Sequence, residues 1–198
     1  MMHKVQMIQK EHKVNMYKYN YELTKLRMGD NIANHMAYIY NYILYDKMGF
    51  SFKKLTNFYK RVVSLRQRWQ DNNDDEITSE ALLKYAMSKK IDAVGFVNKI
   101  PMSHKLYLAD IKGSCPLGAH KNIDYGMLST VLLIIPVLKD TYRFSNDKIN
   151  QVFDWILYCI DSYYRKQPGC KLHYLSDDDI WQLFVDEVKW DIREGKAV

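Results

Sequence analysis

The chain has 198 residues, 47% of them hydrophobic and 26% charged, with a formal net charge of +6. These proportions exclude wholesale disorder and allow one compact domain or two small ones. Only 8 Gly and 4 Pro stand beside 16 Tyr and 10 Met, too few turn formers for a sandwich or barrel of many short strands, so a mostly α fold is expected.

The first segment, residues 1–29, is basic, and Tyr17-Lys18-Tyr19-Asn20-Tyr21 in it alternates like a strand. It begins Met1-Met2-His3-Lys4-Val5 and then turns polar, without the apolar stretch of a secretory signal. The three cysteines, Cys115, Cys159 and Cys170, make no disulfide framework, and the expected location is the cytoplasm.

Residues 30–92 read as a first unit of three helices. Ile32, Met36, Ile39 and Ile43 share one face of the first, which Gly49 ends. Ser51 stands at an N-cap position, and Leu55, Phe58, Val62, Leu65 and Trp69 form the apolar stripe of the second. Asp71-Asn72-Asn73-Asp74-Asp75 breaks that helix, and Thr78 caps a third that runs to about Lys89, with Leu82, Leu83, Tyr85 and Ala86 inward.

Residues 93–121 read as a connector, in which Lys105-Leu106-Tyr107-Leu108 could supply a second strand for a small ribbon. Residues 122–198 read as a second three-helix unit. Its first helix is Met127 to Leu138, an uncharged run far short of the about 20 residues that cross a bilayer, so no membrane partner is expected. Pro136 should kink it, Ser145 caps the next helix through about Arg165, and Ser176 with Asp179 forms a capping box for an acidic helix reaching Glu194.

The two units match at an offset of 94 residues, where Leu44, Asp46, Phe50, Ser51 and Lys54 meet Leu138, Asp140, Phe144, Ser145 and Lys148. Farther on, Ile77 to Leu82 matches Leu175 to Ile180 at an offset of 98. The expected fold is therefore two divergent copies of one three-helix unit, packed through their apolar faces into one helical body.

The phrase Asp46-Lys47-Met48-Gly49-Phe50-Ser51-Phe52-Lys53-Lys54-Leu55, followed by Ile77-Thr78-Ser79-Glu80, resembles a pattern in small uncharacterised proteins of Firmicute bacteriophages. The second copy departs from it, with Tyr142-Arg143 where the first has Met48-Gly49. The resemblance implies a phage or prophage accessory gene, a class that holds regulators, inhibitors of host defence and virion components, working in the host cytoplasm.

Charge is uneven along the chain. Residues 1–70 hold 13 Lys or Arg against 4 Asp or Glu, and the remainder hold 16 against 19. No acid lies between Asp46 and Asp71, and Lys53, Lys54, Lys60, Arg61 and Arg68 fall opposite the stripe of Leu55, Val62 and Trp69. Such a face can neutralise backbone phosphates, with Asn57 and Gln67 adding hydrogen bonds, or it can simply be a solvated helix face. The expected partner is a nucleic acid or a nucleic-acid-bound protein, and the alternatives are a protein-only inhibitor of a host factor and a virion or assembly component. Tyr38, Tyr40, Tyr42 and Tyr45 suit core-edge packing better than base stacking.

No phosphate loop, dinucleotide fingerprint, nucleophile elbow or His-Glu-x-x-His occurs, so no enzyme and no cofactor are expected. His35 reads as a packed or capping residue, and Asp177, Asp178 and Asp179 as dipole-favoured acids of a first turn. Cys115, His120, Cys170 and His173 could converge as a four-ligand zinc site, although their spacing fits no standard finger and ordinary loop residues account for them.

Overall fold

The computed structural model describes residues 27–70, 78–109, 119–165, 181–182, 184–192 and 196–197. Over these residues the chain is mostly α-helical. Helix α1 covers 27–46 and buries Ile32, Met36, Ile39 and Ile43. The chain then reverses at Gly49, whose φ of +65° lies in the left-handed region where a residue without Cβ is at ease. In this stop, Met48 N–H donates to Ile43 C=O at 3.2 Å and Phe50 N–H to Leu44 C=O at 2.9 Å, which satisfies carbonyls that a helix end leaves open.

Helix α2 is Phe52–Gln70, with Leu55, Phe58 and Val62 buried and Leu65 and Trp69 partly so. Helix α3, Ser79–Ser88, is capped by the Thr78 hydroxyl, which accepts from Ala81 N–H at 3.1 Å. Two short helices follow, α4 at Ala93–Lys99 and α5 at Met102–Leu108. They correct the expectation of a connector with a strand at Lys105 to Leu108. Alternation treats Lys105 as facing water, yet its ammonium donates to Asp124 Oδ1 at 2.7 Å and the residue is only 4% exposed. That pairing lets His104, Lys105 and Leu108 all turn inward on one helical face.

Helix α6, Ala119–Pro136, begins eight residues before the expected Met127. It packs against α2, α3, α4 and α5, and Ile123, Met127 and every residue from Val131 to Ile135 are buried. Pro136 has no N–H to give, and directly after it the helix widens into a π turn, Val137–Thr141. Together, His120–Thr141 spans 22 residues with a mean hydropathy of 1.3, enough by length and composition to cross a bilayer. The shorter reading from sequence counted only its uncharged centre. In the protein it is the central helix, with 56% of its apolar window buried.

A second stop precedes α7, Asn146–Arg165. Arg143 has a φ of 55°, Tyr142 N–H donates to Val137 C=O at 3.3 Å, and Phe144 N–H donates to Leu138 C=O at 3.1 Å. Each of these features lies 94 residues after its counterpart at Gly49, Met48 and Phe50. The rings of Phe50 and Phe144 are both buried and meet edge to face at 6.0 Å, so the two stops pack on each other. Ser145 caps α7 by accepting from Lys148 N–H at 3.2 Å. The Ser176 and Asp179 cap, Asp177, Asp178 and the strand-like Tyr17 to Tyr21 lie outside the described residues, as does the later partner in the offset-98 match.

The small ribbon exists in another place. After a π turn at Phe184–Val188, Trp190–Asp191 (β1) pairs antiparallel with Lys196–Ala197 (β2). The acidic helix expected to reach Glu194 therefore gives way before Trp190, whose fully buried indole packs against Phe184 and Tyr59.

Candidate functional site

Helix α2 places the basic residues on its outer side because its apolar stripe must face α1 and α6. Lys53, Lys54, Asn57, Lys60, Arg61, Gln67 and Arg68 are all exposed, and the helix contains no acid. Lys53, Lys60 and Arg61 form no ion pair with a described residue. Lys54 is partly committed: its ammonium sits 5.8 Å from the Phe50 ring centre, and its carbonyl accepts from the Tyr142 hydroxyl at 2.8 Å. From Lys53 to Arg68 the row extends about 22 Å at 1.5 Å per residue.

Arg66, the other arginine of the helix, points elsewhere. Its guanidinium donates to Asp30 Oδ1 of α1 at 2.6 Å, at the mouth of a cleft of about 420 Å³ between α1, α2 and α6. Small residues make the cleft. On α1, Gly29, Ala33 and Ala37 follow at every fourth position and leave its face bare. Facing them on α6 are Gly126, Ser129 and Thr130. A Cβ on Gly126 would stand 3.3 Å from Ile32 Cδ1 and 3.8 Å from Gly29 Cα, so that glycine permits the close approach of the two helices.

Aromatic groups complete the walls. Tyr40 and Tyr59 line the interior, and Trp69 and Tyr125 stand edge to face at 6.5 Å near the mouth. Burial raises the phenol of Tyr40 well above its ordinary value, and burial with the neighbouring Tyr38 raises that of Tyr59, so both are neutral donors through the physiological range. Thr130 satisfies its hydroxyl on Gly126 C=O at 3.0 Å, whereas the buried Ser129 Oγ has no partner among the described residues. A concave, mostly apolar space with a few convergent polar groups has the character of a small-ligand site.

A second polar cluster joins α5, α6 and α7. His104 Nε2 lies 3.2 Å from Asp161 Oδ1, and His104 Nδ1 lies 3.1 Å from Ser103 Oγ. The order Ser, His, Asp invites comparison with a hydrolase triad, but the serine is the sequence neighbour of the histidine on a seven-residue helix and neither lines the cleft. With the Lys105–Asp124 pair, this cluster satisfies buried polar groups where α5 meets α6 and α7.

Of the four residues considered for zinc, His120 is an exposed residue of the first turn of α6, and Cys115, Cys170 and His173 lie outside the described residues. Among the described residues no group of three or more His, Cys, Asp or Glu side chains could hold a metal ion. Tyr40 and Tyr42 are core residues, 3% and 2% exposed, with Tyr38 and Tyr45 at the core edge, and His35 is half-buried in α1. Reading the basic stripe alone missed the cleft. The spacing of Gly29, Ala33 and Ala37 is the sequence signal that marks its wall.

No family model, curated protein or solved structure matches the chain.

Proposed function

We propose that this is a non-enzymatic binding protein that lays the outer face of α2 along the phosphate backbone of a nucleic acid, bare or already carrying a protein. One observation carries the reading: along about 22 Å of helix, five cations and two amides are exposed and no acid interrupts them. That length matches about six steps of duplex at 3.4 Å per step. A face serving only solubility would interleave both signs of charge. The resemblance of the Gly49 to Leu55 segment to phage accessory proteins supports a role in a phage or prophage setting.

The test is the salt dependence of binding to a fluorescent duplex and a single strand. Each phosphate neutralised contributes about 0.9 to the slope of log K against log salt for duplex and about 0.7 for a single strand. Replacing Lys53, Lys60 and Arg61 with Ala should lower that slope by about 2 to 3 while leaving the helix folded. An unaltered slope in the triple variant, or no binding by the parent at low salt, would transfer the role to a protein-only partner.

A further inference from the structure

The geometry points to the cleft between α1, α2 and α6 as a pocket for an unstacked nucleobase of a single strand whose phosphates follow the outer face of α2. This rests on the nucleic-acid reading above and adds to it the form of the ligand.

Three observations converge. The first is position on the helix: Tyr59, Val63, Arg66 and Gln70 line the cleft, and Lys60 and Gln67 each follow a cleft residue by one position, about 100° round the helix toward the basic row. A strand held by that row therefore passes the cleft mouth. The second is shape and surface. A volume of about 420 Å³ accommodates a base with its sugar, and Trp69 and Tyr125 at the mouth, with Tyr40 and Tyr59 inside, offer rings to a flat π system. The third is polarity. Arg66 and Asp30 hold donors and an acceptor side by side, 2.6 Å apart, at the mouth. A base edge carries donors and acceptors at similar spacing and can match both members of such a pair, whereas a simple anion would meet the Asp30 carboxylate.

Duplex DNA cannot present a base in this way without breaking a pair, so the cleft should create a preference for single strands. The probe is a single-stranded oligonucleotide carrying 2-aminopurine, whose emission changes when the base leaves its stacked neighbours for a protein pocket. Saturable change in that emission is expected, together with about tenfold tighter binding of the single strand than of the duplex, within what one stacked base contributes. Ala33→Leu, which places a branched side chain in the cleft, should remove both effects and leave duplex binding unaltered. Tyr125→Leu alters an exposed ring, 53% accessible, and should weaken single-strand binding even if Ala33→Leu disturbs folding. Binding that weakens in the Lys53, Lys60 and Arg61 variant while the 2-aminopurine signal stays flat would overturn the cleft assignment and leave the phosphate reading standing. No binding of either form would overturn both. Saturation by free 2-aminopurine riboside, with no signal from the oligonucleotide, would give the cleft to a free nucleoside and overturn the strand assignment.

Discussion

Helices α2 and α7 start from the same kind of turn and differ in what they show to water. Their inward positions correspond at the 94-residue offset, with Leu55, Phe58 and Val62 on α2 and Ile149, Val152 and Ile156 on α7 all buried. Two outward positions oppose each other in charge, Lys53 against Asp147 and Lys60 against Asp154, all four exposed, whereas Lys54 meets another lysine, Lys148. The polar side chain of Gln67 answers to Asp161, which has turned to His104. Burial constrains volume and shape tightly, but an exposed charge costs the fold little to reverse. A difference in function between two such helices would therefore be written on the faces that packing leaves free.

The largest effect should come from the rings that join the two turns. Phe50→Ala and Phe144→Ala should each cost about 3 to 5 kcal/mol in urea unfolding, as buried Phe truncations do. Because the rings touch, the double variant should cost less than the sum, by about 0.5 to 1.5 kcal/mol. A cost for one several times that for the other would break the equivalence of the turns.

Next in size is a pair of substitutions of opposite sign. Gly49→Ala places a Cβ in the left-handed region and should destabilise by about 1 to 2 kcal/mol. Arg143→Gly relieves the same strain at the second turn and should stabilise by up to about 1 kcal/mol. Thermal midpoints that move in the same direction would show that the two turns bear different loads.

Smaller still should be the stability change on reversing charge. Asp147→Lys with Asp154→Lys gives α7 the outward charge of α2 and should alter stability by no more than about 0.5 kcal/mol per site. If phosphate contact depends on charge alone, the variant gains salt-sensitive nucleic-acid binding. If it gains none, the cleft beside α2 is required as well.

The smallest effect is confined to high pH. Burial raises the Tyr59 phenol above the ordinary tyrosine value of about 10, while Phe153 at the corresponding position of α7 cannot ionise. The folded state thus keeps a proton that the unfolded chain releases near pH 10, so the contribution of Tyr59 is complete below about pH 10 and is lost as pH rises through its folded value. Tyr59→Phe should flatten that decline in a denaturation series above pH 10. An identical decline would mean that other phenols, such as the buried Tyr40, govern it.

The turn at Gly49 and the Ser145 cap were legible in the sequence because their causes are local, whereas Tyr142-Arg143 left the tightness of the second turn in doubt. A glycine or a polar cap acts within a few residues, and the apolar periods of α1, α2 and α7 are long enough to read. The elements between were not. Helix α5 hid behind an alternating Lys-Leu-Tyr-Leu, since the acid that buries Lys105 comes from α6. The start of α6 hid in the mixed run from His120 to Gly126, in which Ile123 is the one buried residue. The basic residues of the candidate site could be found from helical spacing alone, yet the diversion of Arg66 to Asp30 and the space beside it depend on where α1 crosses α6.

The place of α6 in the chain bears on how the protein is made. A segment of 22 residues with a mean hydropathy of 1.3 is a hazard while it is bare, because membranes and other nascent chains compete for it. The helices that pack on it, α1 to α5, all precede it and leave the ribosome first. When the apolar stretch emerges, those packing surfaces have already been synthesised.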